Sequence, residues 1–351
     1  CMEELTFNGR KTILSSDIED LRNFIEGRRS ILIAQSGISN LAKEFIDENL
    51  LKSEFFDIGD REEAKNLETV MSIVDYLGKK NVGRSDCLIS FGGGSASDVV
   101  GFTASIYKRG MELAIIPTTL LSMVDASIGG KNGIDIGGTK NQIGTFYQPG
   151  IVYSDMNFLK SLSEIEYKSG LGEIIKYGLS IDRNLLSFMT GHIEEIEGRD
   201  EKVLRSIVTW SQRIKLGIVK EDERETEGVR EILNVGHTVG HAIESSSGFK
   251  IRHGIAVVYG MLVECELSIK FGLAEHGLCD TVREIIKQFN FPVPERFNIN
   301  KIAKYIINDK KINGGKINFP ALKRAGETEV IRIDIRDFLG WVKDEKIWPA
   351  W

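Results

Sequence analysis

The first 155 residues alternate short apolar runs with amphipathic stretches, and this rhythm constrains the fold more than any other feature of the chain. The runs "RRSILIAQSG" and "SEFFDIG" are typical of strands, whereas "ISNLAKEFIDENLL" and "EEAKNLETVMSIVDYLGKK" have the apolar spacing of helices. Strands that alternate with helices predict βαβ units and a parallel sheet. We therefore predict an N-terminal, Rossmann-like α/β domain over residues 1–155.

The pattern changes after about residue 156. From "NFLKSLSEIEYKSGLGEIIKYGLSI" to "HGIAVVYGMLVECELSIKFGL" the apolar residues recur at helical spacing, and the tail "GETEVIRIDIRDFLGWVKDEKIWPAW" predicts a short strand and a closing helix. The 351 residues also exceed the roughly 250–300 at which one hydrophobic core stops growing. We therefore predict a mainly α-helical second domain over residues 156–351, with the active site in the cleft between the two domains.

Charge and composition argue against several classes of protein. The net charge is −6 and the Lys and Arg residues are scattered, so we expect neither nucleic acid nor an anionic membrane as a partner. The sequence shows no run of 18 apolar residues and no charged-then-apolar leader, which favours a cytoplasmic protein. Four cysteines stand far apart without C-x-x-C spacing, and we expect reduced, buried thiols at these positions: Cys1, Cys87, Cys265 and Cys279.

A glycine loop follows the apolar run that ends at Phe91. Gly92, Gly93 and Gly94 lead from this predicted strand into a predicted helix, so backbone N–H groups and the helix dipole would face an anion such as a pyrophosphate. Open α/β folds bind dinucleotides at this end of a parallel sheet, which makes NAD the leading candidate ligand. The alternative is a plain turn in which Ser95 is the N-cap and Asp98 its capping partner.

The histidines are concentrated in one segment. His237, His241 and His253 are three of only five in the chain, and the first two lie four residues apart on one face of a predicted helix. A turn at "SSSG" would bring His253 back beside them. Packed or solvated histidines are one interpretation, and a metal site is the other. Catalytic zinc often takes two histidines and a glutamate, and Glu173 in "SGLGEIIKYG" is our candidate, unless it forms only a structural ion pair with Lys176.

Six motifs together resemble the 3-dehydroquinate synthases, which are NAD- and zinc-dependent sugar phosphate cyclases. They cover about residues 85 to 262 and read "GGGSASDVVGF", "IPTTLLSMVDASIGGKNGID", "TKNQIGTFYQP", "SGLGEIIKYGL", "ILNVGHTVGHAIE" and "HGIAVVYGM". The resemblance implies the dehydroquinate synthase-like fold. It also implies conversion of 3-deoxy-D-arabino-heptulosonate 7-phosphate to 3-dehydroquinate and phosphate, a shikimate-pathway step of aromatic amino acid biosynthesis. In that family the reaction runs through transient oxidation by NAD, β-elimination, re-reduction, ring opening and an intramolecular aldol.

The resemblance also implies roles for individual residues. Zinc, or Co²⁺ in its place, would be bound by Glu173, His237 and His253. His241 would stay off the metal as a catalytic residue, and the other implied catalytic residues are Lys131, Lys176, Asn141 and Asn234. The implied substrate contacts are Asp125, Lys131, Lys140, Asn141, Lys176, Lys215, Arg230, Asn234 and one of the pair Lys310 and Lys311, of which Lys311 is our choice. The implied NAD contacts are Glu62, Lys65, Gly93, Gly94, Asp98, Thr118, Thr119, Asp125 and Lys140.

Arg109, in "YKRG", matches a family residue that reaches the phosphate bound by the neighbouring subunit, so the resemblance implies a homodimer. Singly, each such Arg or Lys could equally be a solvated surface charge.

The rival functions are another sugar phosphate cyclase, such as 2-deoxy-scyllo-inosose synthase or a valiolone synthase, and a metal-dependent polyol dehydrogenase. A non-catalytic NAD-binding protein is a third, but it should lack a complete set of metal ligands.

Some positions depart from the family pattern. Gln35 and Ser36 stand where an acidic residue commonly holds the adenine ribose, so NAD is favoured over NADP without being fixed. The other departures are Ser97 in place of glycine, Asp135 in place of Asn, Ile255 in place of Glu, and one extra residue between Lys215 and Arg230.

Overall fold

The computed structural model describes residues 3–7, 10–50, 52–137, 139–294, 297–307 and 312–348. The chain divides into two compact units, Cys1–Leu162 and Ser163–Trp351. Cys1, Lys310 and Lys311, which the sequence analysis singled out, lie outside the described residues.

The N-terminal unit contains nine strands and four helices among its described residues. The strands are β1 (Glu3–Phe7), β2 (Arg10–Ser15), β3 (Ser30–Gln35), β4 (Glu54–Ile58), β5 (Cys87–Gly92), β6 (Glu112–Pro117), β7 (Lys131–Ile136), β8 (Thr139–Phe146) and β9 (Ile151–Tyr153). The helices are α1 (Ile18–Ile25), α2 (Ser39–Asn49), α3 (Leu67–Lys79) and α4 (Gly94–Ile106).

Seven of these strands form one sheet, in the order β1-β2-β9-β6-β5-β3-β4. Only β1 and β2 pair antiparallel, and every other neighbouring pair is parallel. The strands β3 and β5 are apolar because helices cover both faces of a parallel sheet, and Ile31–Ala34 of β3 are fully buried. The predicted parallel sheet is therefore confirmed.

The strand order reverses between β3 and β5. The chain runs from β3 outward to β4, then returns to β5 and continues to β6 on the other side. Such a reversal opens a crevice at the carboxyl ends of the two diverging strands, and open α/β sheets bind ligands there. The glycine loop after β5 lies at this position.

The C-terminal unit is mainly helical, as predicted. Its helices are α5 (Glu164–Ser180), α6 (Arg183–Thr190), α7 (Ile193–Glu197), α8 (Glu201–Glu221), α9 (His237–Ser246), α10 (His253–Lys270), α11 (Leu278–Gln288), α12 (Ile299–Ile307) and α13 (Ile335–Val342). A small antiparallel sheet accompanies them, formed by β10 (Ile312–Asn313), β11 (Lys316–Arg324) and β12 (Glu327–Asp334). The predicted strand and closing helix of the tail correspond to β12 and α13.

Backbone contacts between helices organise this unit. An ideal Cβ on Gly172 of α5 would lie 2.2 Å from the carbonyl oxygen of Gly254 on α10, so only glycine allows this approach of the two helices. The Gly254 N–H also donates to the Ser169 hydroxyl at 3.0 Å. These contacts bring the N-terminal end of α10 against the middle of α5. Of the predicted thiols, Cys87, Cys265 and Cys279 are buried and free.

Candidate active site

The glycine loop leads directly into α4. Gly93 is the N-cap residue of this helix and, lacking a side chain, cannot cap the helix itself. Thr118, whose N–H donates to the carbonyl of Gly92 at 2.9 Å, ties the end of β6 to the loop. The alternative that made Ser95 the N-cap and Asp98 its partner is wrong, because the Ser95 hydroxyl donates to Glu62 at 2.7 Å instead. The first N–H groups of α4 are thus oriented as in helix termini that bind anions.

Two ion pairs lie beside this loop. Lys65 Nζ is 2.6 Å from Asp98 Oδ2, and Lys140 Nζ is 2.8 Å from Glu62 Oε1. Burial raises the pKa of Asp98 to about 6 against the opposing effect of Lys65, so this carboxyl is still ionised at neutral pH. Burial alone would lower the pKa of Lys65, but Asp98 raises it above its ordinary value. The structure therefore brings four of the predicted cofactor residues into one charged cluster.

Apart from Arg109, the remaining predicted residues of this unit lie on the segment after β6. Thr119 accepts a hydrogen bond from the Ser122 N–H at 3.1 Å, and Asp125 lies on the π-helical turn Ser122–Ala126 that follows. Lys131 is exposed at the start of β7. Asn141 has φ 52°, and its N–H donates to the Asp135 carboxylate at 2.8 Å. The carboxylate at position 135 thus supports the backbone next to Lys140.

The C-terminal unit brings the predicted metal ligands together. Glu173 is fully buried, and its Oε1 lies 3.6 Å from His237 Nε2 and 3.4 Å from His253 Nε2. His237 and His253 are the first residues of α9 and α10. Glu173 lies in the third turn of α5, which begins at Glu164. Its other oxygen, Oε2, accepts from Lys176 Nζ at 2.5 Å.

These distances fit a metal ion better than a hydrogen-bonded cluster. Oε1 of Glu173 is buried and has no hydrogen-bond partner among the described residues, an arrangement that costs free energy unless something else satisfies the atom. Ligands about 2.0–2.2 Å from a tetrahedral zinc ion lie roughly 3.3–3.6 Å from one another. The two measured N···O distances fall in that range.

The carboxylates also set the charges of the site. Burial alone would raise the pKa of Glu173, but Lys176 and His237 hold it well below its usual range. Burial would lower the pKa of His253, whereas the neighbouring carboxylates of Glu173 and Glu244 raise it to about 10. The carboxylate is therefore ionised, as a metal ligand must be.

Partners on the other ring nitrogens orient the two imidazoles. His237 Nδ1 lies 3.1 Å from the Val235 carbonyl oxygen, and His253 Nδ1 lies 2.9 Å from Glu244 Oε2. Both bonds leave Nε2 directed at Glu173, as the outer partners of metal-bound histidines do. Glu244 was not among the residues predicted from the sequence. Its place at the end of "GHTVGHAIE", two turns after His237, was the available signal.

His241 lies beside both of the other imidazoles. Its ring centroid is 5.2 Å from that of His237 and 5.6 Å from that of His253. The three histidines each offer a nitrogen within 4.8 Å of the others, so they form a second candidate ligand set. The unsatisfied oxygen of Glu173 favours the set that includes the carboxylate, with His241 beside it.

Besides Lys176, two cations predicted to bind substrate are buried in this unit. Lys215 on α8 and Arg230 are 7% and 2% exposed, and Arg230 Nε has no partner among the described residues. Arg230 Nη1 donates to the Glu223 carbonyl at 3.0 Å. A buried guanidinium with an unsatisfied N–H fits an anionic ligand. Asn234 ends the 3-10 helical turn Val229–Asn234, which contacts α5 and α8.

The segment between Lys215 and Arg230, where the sequence has one extra residue, contains a folded turn. The Asp222 carboxylate accepts from the N–H groups of Thr226 and Glu227 at 2.7 and 3.2 Å, and Gly228 has φ 78°. This turn leads directly into the 3-10 helical turn that contains Arg230.

Arg109 lies in the segment that follows α4. It is exposed and has φ 64°, and Lys108 before it has φ 48°. Two consecutive non-glycine residues in the left-handed region cost free energy and turn the chain sharply toward β6.

Two family models match adjacent segments of the chain, which together span residues 55–312. The model of the 3-dehydroquinate synthase N-terminal region matches residues 55–169, and that of the C-terminal region matches residues 170–312. The chain belongs to the 3-dehydroquinate synthase family. A 3-dehydroquinate synthase from Sulfurisphaera tokodaii is 42% identical over 81% of this chain and 82% of its own. The resemblance stated from the motifs is thus confirmed.

Solved structures of two synthases with other names share the fold of this chain. A 2-deoxy-scyllo-inosose synthase complexed with carbaglucose-6-phosphate, NAD⁺ and Co²⁺ matches with a TM-score of 0.89 at 21% identity, covering 98% of this chain and 100% of that chain. A 2-epi-5-epi-valiolone synthase from Streptomyces hygroscopicus subsp. jinggangensis 5008, with NAD⁺ and Zn²⁺ bound, matches with a TM-score of 0.85 at 24% identity, covering 98% and 99%. The predicted fold class is confirmed by these neighbours.

Two departures from the 3-dehydroquinate synthase pattern have simple structural consequences. Ile255 is 2% exposed, so it packs in the core as an apolar residue of α10. The Ser97 hydroxyl donates to the Gly93 carbonyl at 3.3 Å within α4.

None of the helices in the described part of the chain is long and apolar enough to span a bilayer.

Proposed function

We propose that this protein is an NAD- and zinc-dependent 3-dehydroquinate synthase that converts 3-deoxy-D-arabino-heptulosonate 7-phosphate to 3-dehydroquinate and phosphate. Membership of the family supports the activity. The observation that carries the chemistry is the buried, unsatisfied Oε1 of Glu173, which faces the Nε2 atoms of two histidines.

In this proposal Glu173, His237 and His253 hold the metal. One carboxylate and two imidazoles suit zinc, and the same donors would accept Co²⁺. When bound, zinc polarises a substrate hydroxyl and lowers its pKa, and bound NAD supplies hydride transfer. Glu244 keeps His253 in the tautomer that presents Nε2.

His241 is the proposed proton carrier. It lies against both candidate ligand histidines, yet the carboxylate set does not need it for the metal. An imidazole so placed can take up and return a proton at a substrate oxygen. Lys176 donates a hydrogen bond to Glu173 Oε2, so its ammonium places a positive charge beside the proposed metal ligand.

The buried cations bind the anionic groups of the substrate in this proposal. Arg230 suits a bidentate carboxylate contact, and Lys215 and Lys176 supply further positive charge. Holding both ends of the substrate fixes its ring, which contributes to the rate through orientation. The other proposed substrate contacts are Asp125, Lys131, Lys140, Asn141 and Asn234, and Lys311 lies outside the described residues.

The cofactor contacts are assigned to the loop before α4 and to the charged cluster beside it. We assign the pyrophosphate to the N–H groups of Gly93 and Gly94. The remaining assigned contacts are Glu62, Lys65, Asp98, Thr118, Thr119, Asp125 and Lys140. A preference for NAD over NADP is supported by two carboxylates near the end of β3, because Ser36 donates to Asp57 and the Gly37 N–H to Asp60. Negative charge there would repel a 2′-phosphate.

A homodimer in which Arg109 serves the neighbouring subunit completes the proposal. Arg109 is exposed in the isolated chain and held in a sharp turn, as a residue that reaches a partner would be.

One assay tests the proposed activity. The purified protein, supplied with the heptulosonate phosphate, NAD and Zn²⁺, should release phosphate and form 3-dehydroquinate while NADH does not accumulate. Net NADH formation would instead indicate a polyol dehydrogenase. Absence of phosphate release from this substrate would contradict the proposal.

A further inference from the structure

A buried carboxylate on α10 caps the helix that carries His237. Glu264 is 1% exposed, in a helix whose other buried residues are almost all apolar. Its Oε2 accepts from the Gly236 N–H at 2.6 Å, and its Oε1 accepts from the Val239 N–H at 3.0 Å. Gly236 is the N-cap residue of α9 and Val239 its third residue. One side chain from another helix therefore satisfies the two N–H groups that a capping box satisfies within a single helix.

The cap is supplied from α10 because Gly236 cannot supply it. Gly236 has φ 77°, and a Cβ there would lie 2.5 Å from Met261 Cγ and 2.6 Å from the Val257 carbonyl oxygen. A Ser, Thr, Asp or Asn, the usual N-cap residues, would not fit at this position. A Cβ on Gly260 would likewise lie 2.0 Å from the Gly236 carbonyl oxygen. The start of α9 thus rests on the backbone of α10, and Glu264 holds it there.

The two helices run antiparallel and are fastened at both ends. Gly236 lies against Gly260, and Gly240 one turn later lies against Val257. One further turn along, Glu244 accepts from His253. Glu264 therefore fixes the position of α9 along α10 at the end where α9 begins.

We propose that Glu264 is a positioning residue for the metal site, acting through His237. His237 is the first residue of α9 and lies in the chain between Gly236 and Val239, whose N–H groups donate to Glu264. The Nδ1 atom of His237 lies 3.1 Å from the carbonyl oxygen of Val235, the residue before Gly236. His253 begins α10 itself. By holding α9 against α10, Glu264 sets where His237 Nε2 lies relative to His253 and Glu173. The inference rests on the proposed metal site.

The test compares Glu264→Gln with Glu266→Gln, a matched change two residues away at a carboxylate that pairs with Arg283 on the surface. Gln can accept from only one of the two N–H groups while its amide opposes the other. We expect Glu264→Gln to weaken Zn²⁺ affinity about 10- to 100-fold, as changes in the outer shell of metal sites do. We also expect it to shift the visible absorption bands of the Co²⁺-loaded protein. Glu266→Gln should change neither.

Zinc affinity is measured by competition with a chromophoric chelator, and the melting temperature of the metal-free proteins is recorded beside it. If Glu264→Gln lowers the melting temperature but leaves zinc affinity and the Co²⁺ spectrum unchanged, Glu264 is a structural cap only and the inference is overturned. If the unsubstituted protein binds no metal, the proposed function fails instead. Should Glu264→Gln not fold, Glu264→Asp, whose arm is one methylene shorter, takes its place with the same readouts.

Discussion

At the scale of single residues, buried charge is what distinguishes the candidate site. Glu173, Lys176 and Arg230 are all at most 2% exposed, and a buried charge is expensive unless it is paired. Lys176 is paired with one oxygen of Glu173, but the other oxygen and Arg230 Nε have no partner among the described residues. The proposed ligands, a cation at Glu173 and an anion at Arg230, would satisfy both atoms.

The two candidate ligand sets make different predictions for His241. If Glu173, His237 and His253 hold the metal, His253→Ala should lose metal and turnover together. His241→Ala should keep one metal per chain while turnover falls about 10²- to 10⁴-fold through loss of proton transfer. Metal content after dialysis, measured by atomic emission, and phosphate release decide the matter. Loss of metal from His241→Ala with retention in Glu173→Gln would reverse the assignment.

Glu244 offers a prediction about orientation. Its carboxylate holds His253 Nδ1 at 2.9 Å, so Glu244→Gln should leave the fold intact and weaken zinc affinity about 10- to 100-fold. Chelator competition measures the affinity, and Glu194→Gln, at an exposed position on α7, is the control. Equal affinities of the two variants would show that the hydrogen bond does not support the metal site.

At the scale of elements, glycine contacts let the helices that carry the ligands approach closely. Gly172→Ala would place a Cβ 2.2 Å from the Gly254 carbonyl oxygen and force α5 away from α10. Overpacking of this kind costs about 1–3 kcal/mol, so the free energy of unfolding should fall by an amount in that range or larger. Zinc affinity should fall too, because Glu173 and His253 lie on the two separated helices.

Gly217→Ala on α8 is the control for this prediction. A Cβ at Gly217 meets nothing within 4 Å, so alanine there should raise the free energy of unfolding by about 0.5–1 kcal/mol. Urea unfolding of the metal-free proteins measures both changes. A Gly172→Ala protein as stable as the unsubstituted one would show that the helices can adjust without loss.

Some of these elements could be predicted from the sequence, and others could not. The strands from β3 to β6 were predictable because their buried residues leave short apolar runs, and the helices between them because a buried face recurs at helical spacing. The hairpin of β7 and β8 was not, since nearly every residue of β8 is exposed and gives no apolar alternation. His237 and His241 followed from local spacing. The roles of Glu244 and Glu264 depend on which residues of α9 and α10 face each other, and no local pattern records that.

At the scale of the whole molecule, the fold does not select the substrate. Cyclases with different products share it at TM-scores of 0.89 and 0.85 although their identities to this chain are only 21% and 24%. Function therefore has to be argued from the site. Relatives at about 40% identity and the buried Arg230 together favour the carboxylate-bearing heptulosonate over other sugar phosphates.

The proposed dimer predicts that two inactive variants recover activity when they form mixed dimers. Arg109→Ala and His241→Ala should each be nearly inactive alone. If Arg109 serves the site of the neighbouring subunit, a mixed dimer contains one site with its own His241 and the partner's intact arginine. Unfolding and refolding an equal mixture should then restore about a quarter of the original activity, since half of the dimers are mixed and one of their two sites is complete. Phosphate release before and after mixing measures this, with each variant refolded alone as the control. If Arg109 acted within its own subunit, the mixture would be no more active than the separate variants, because no mixed dimer would then contain a complete site.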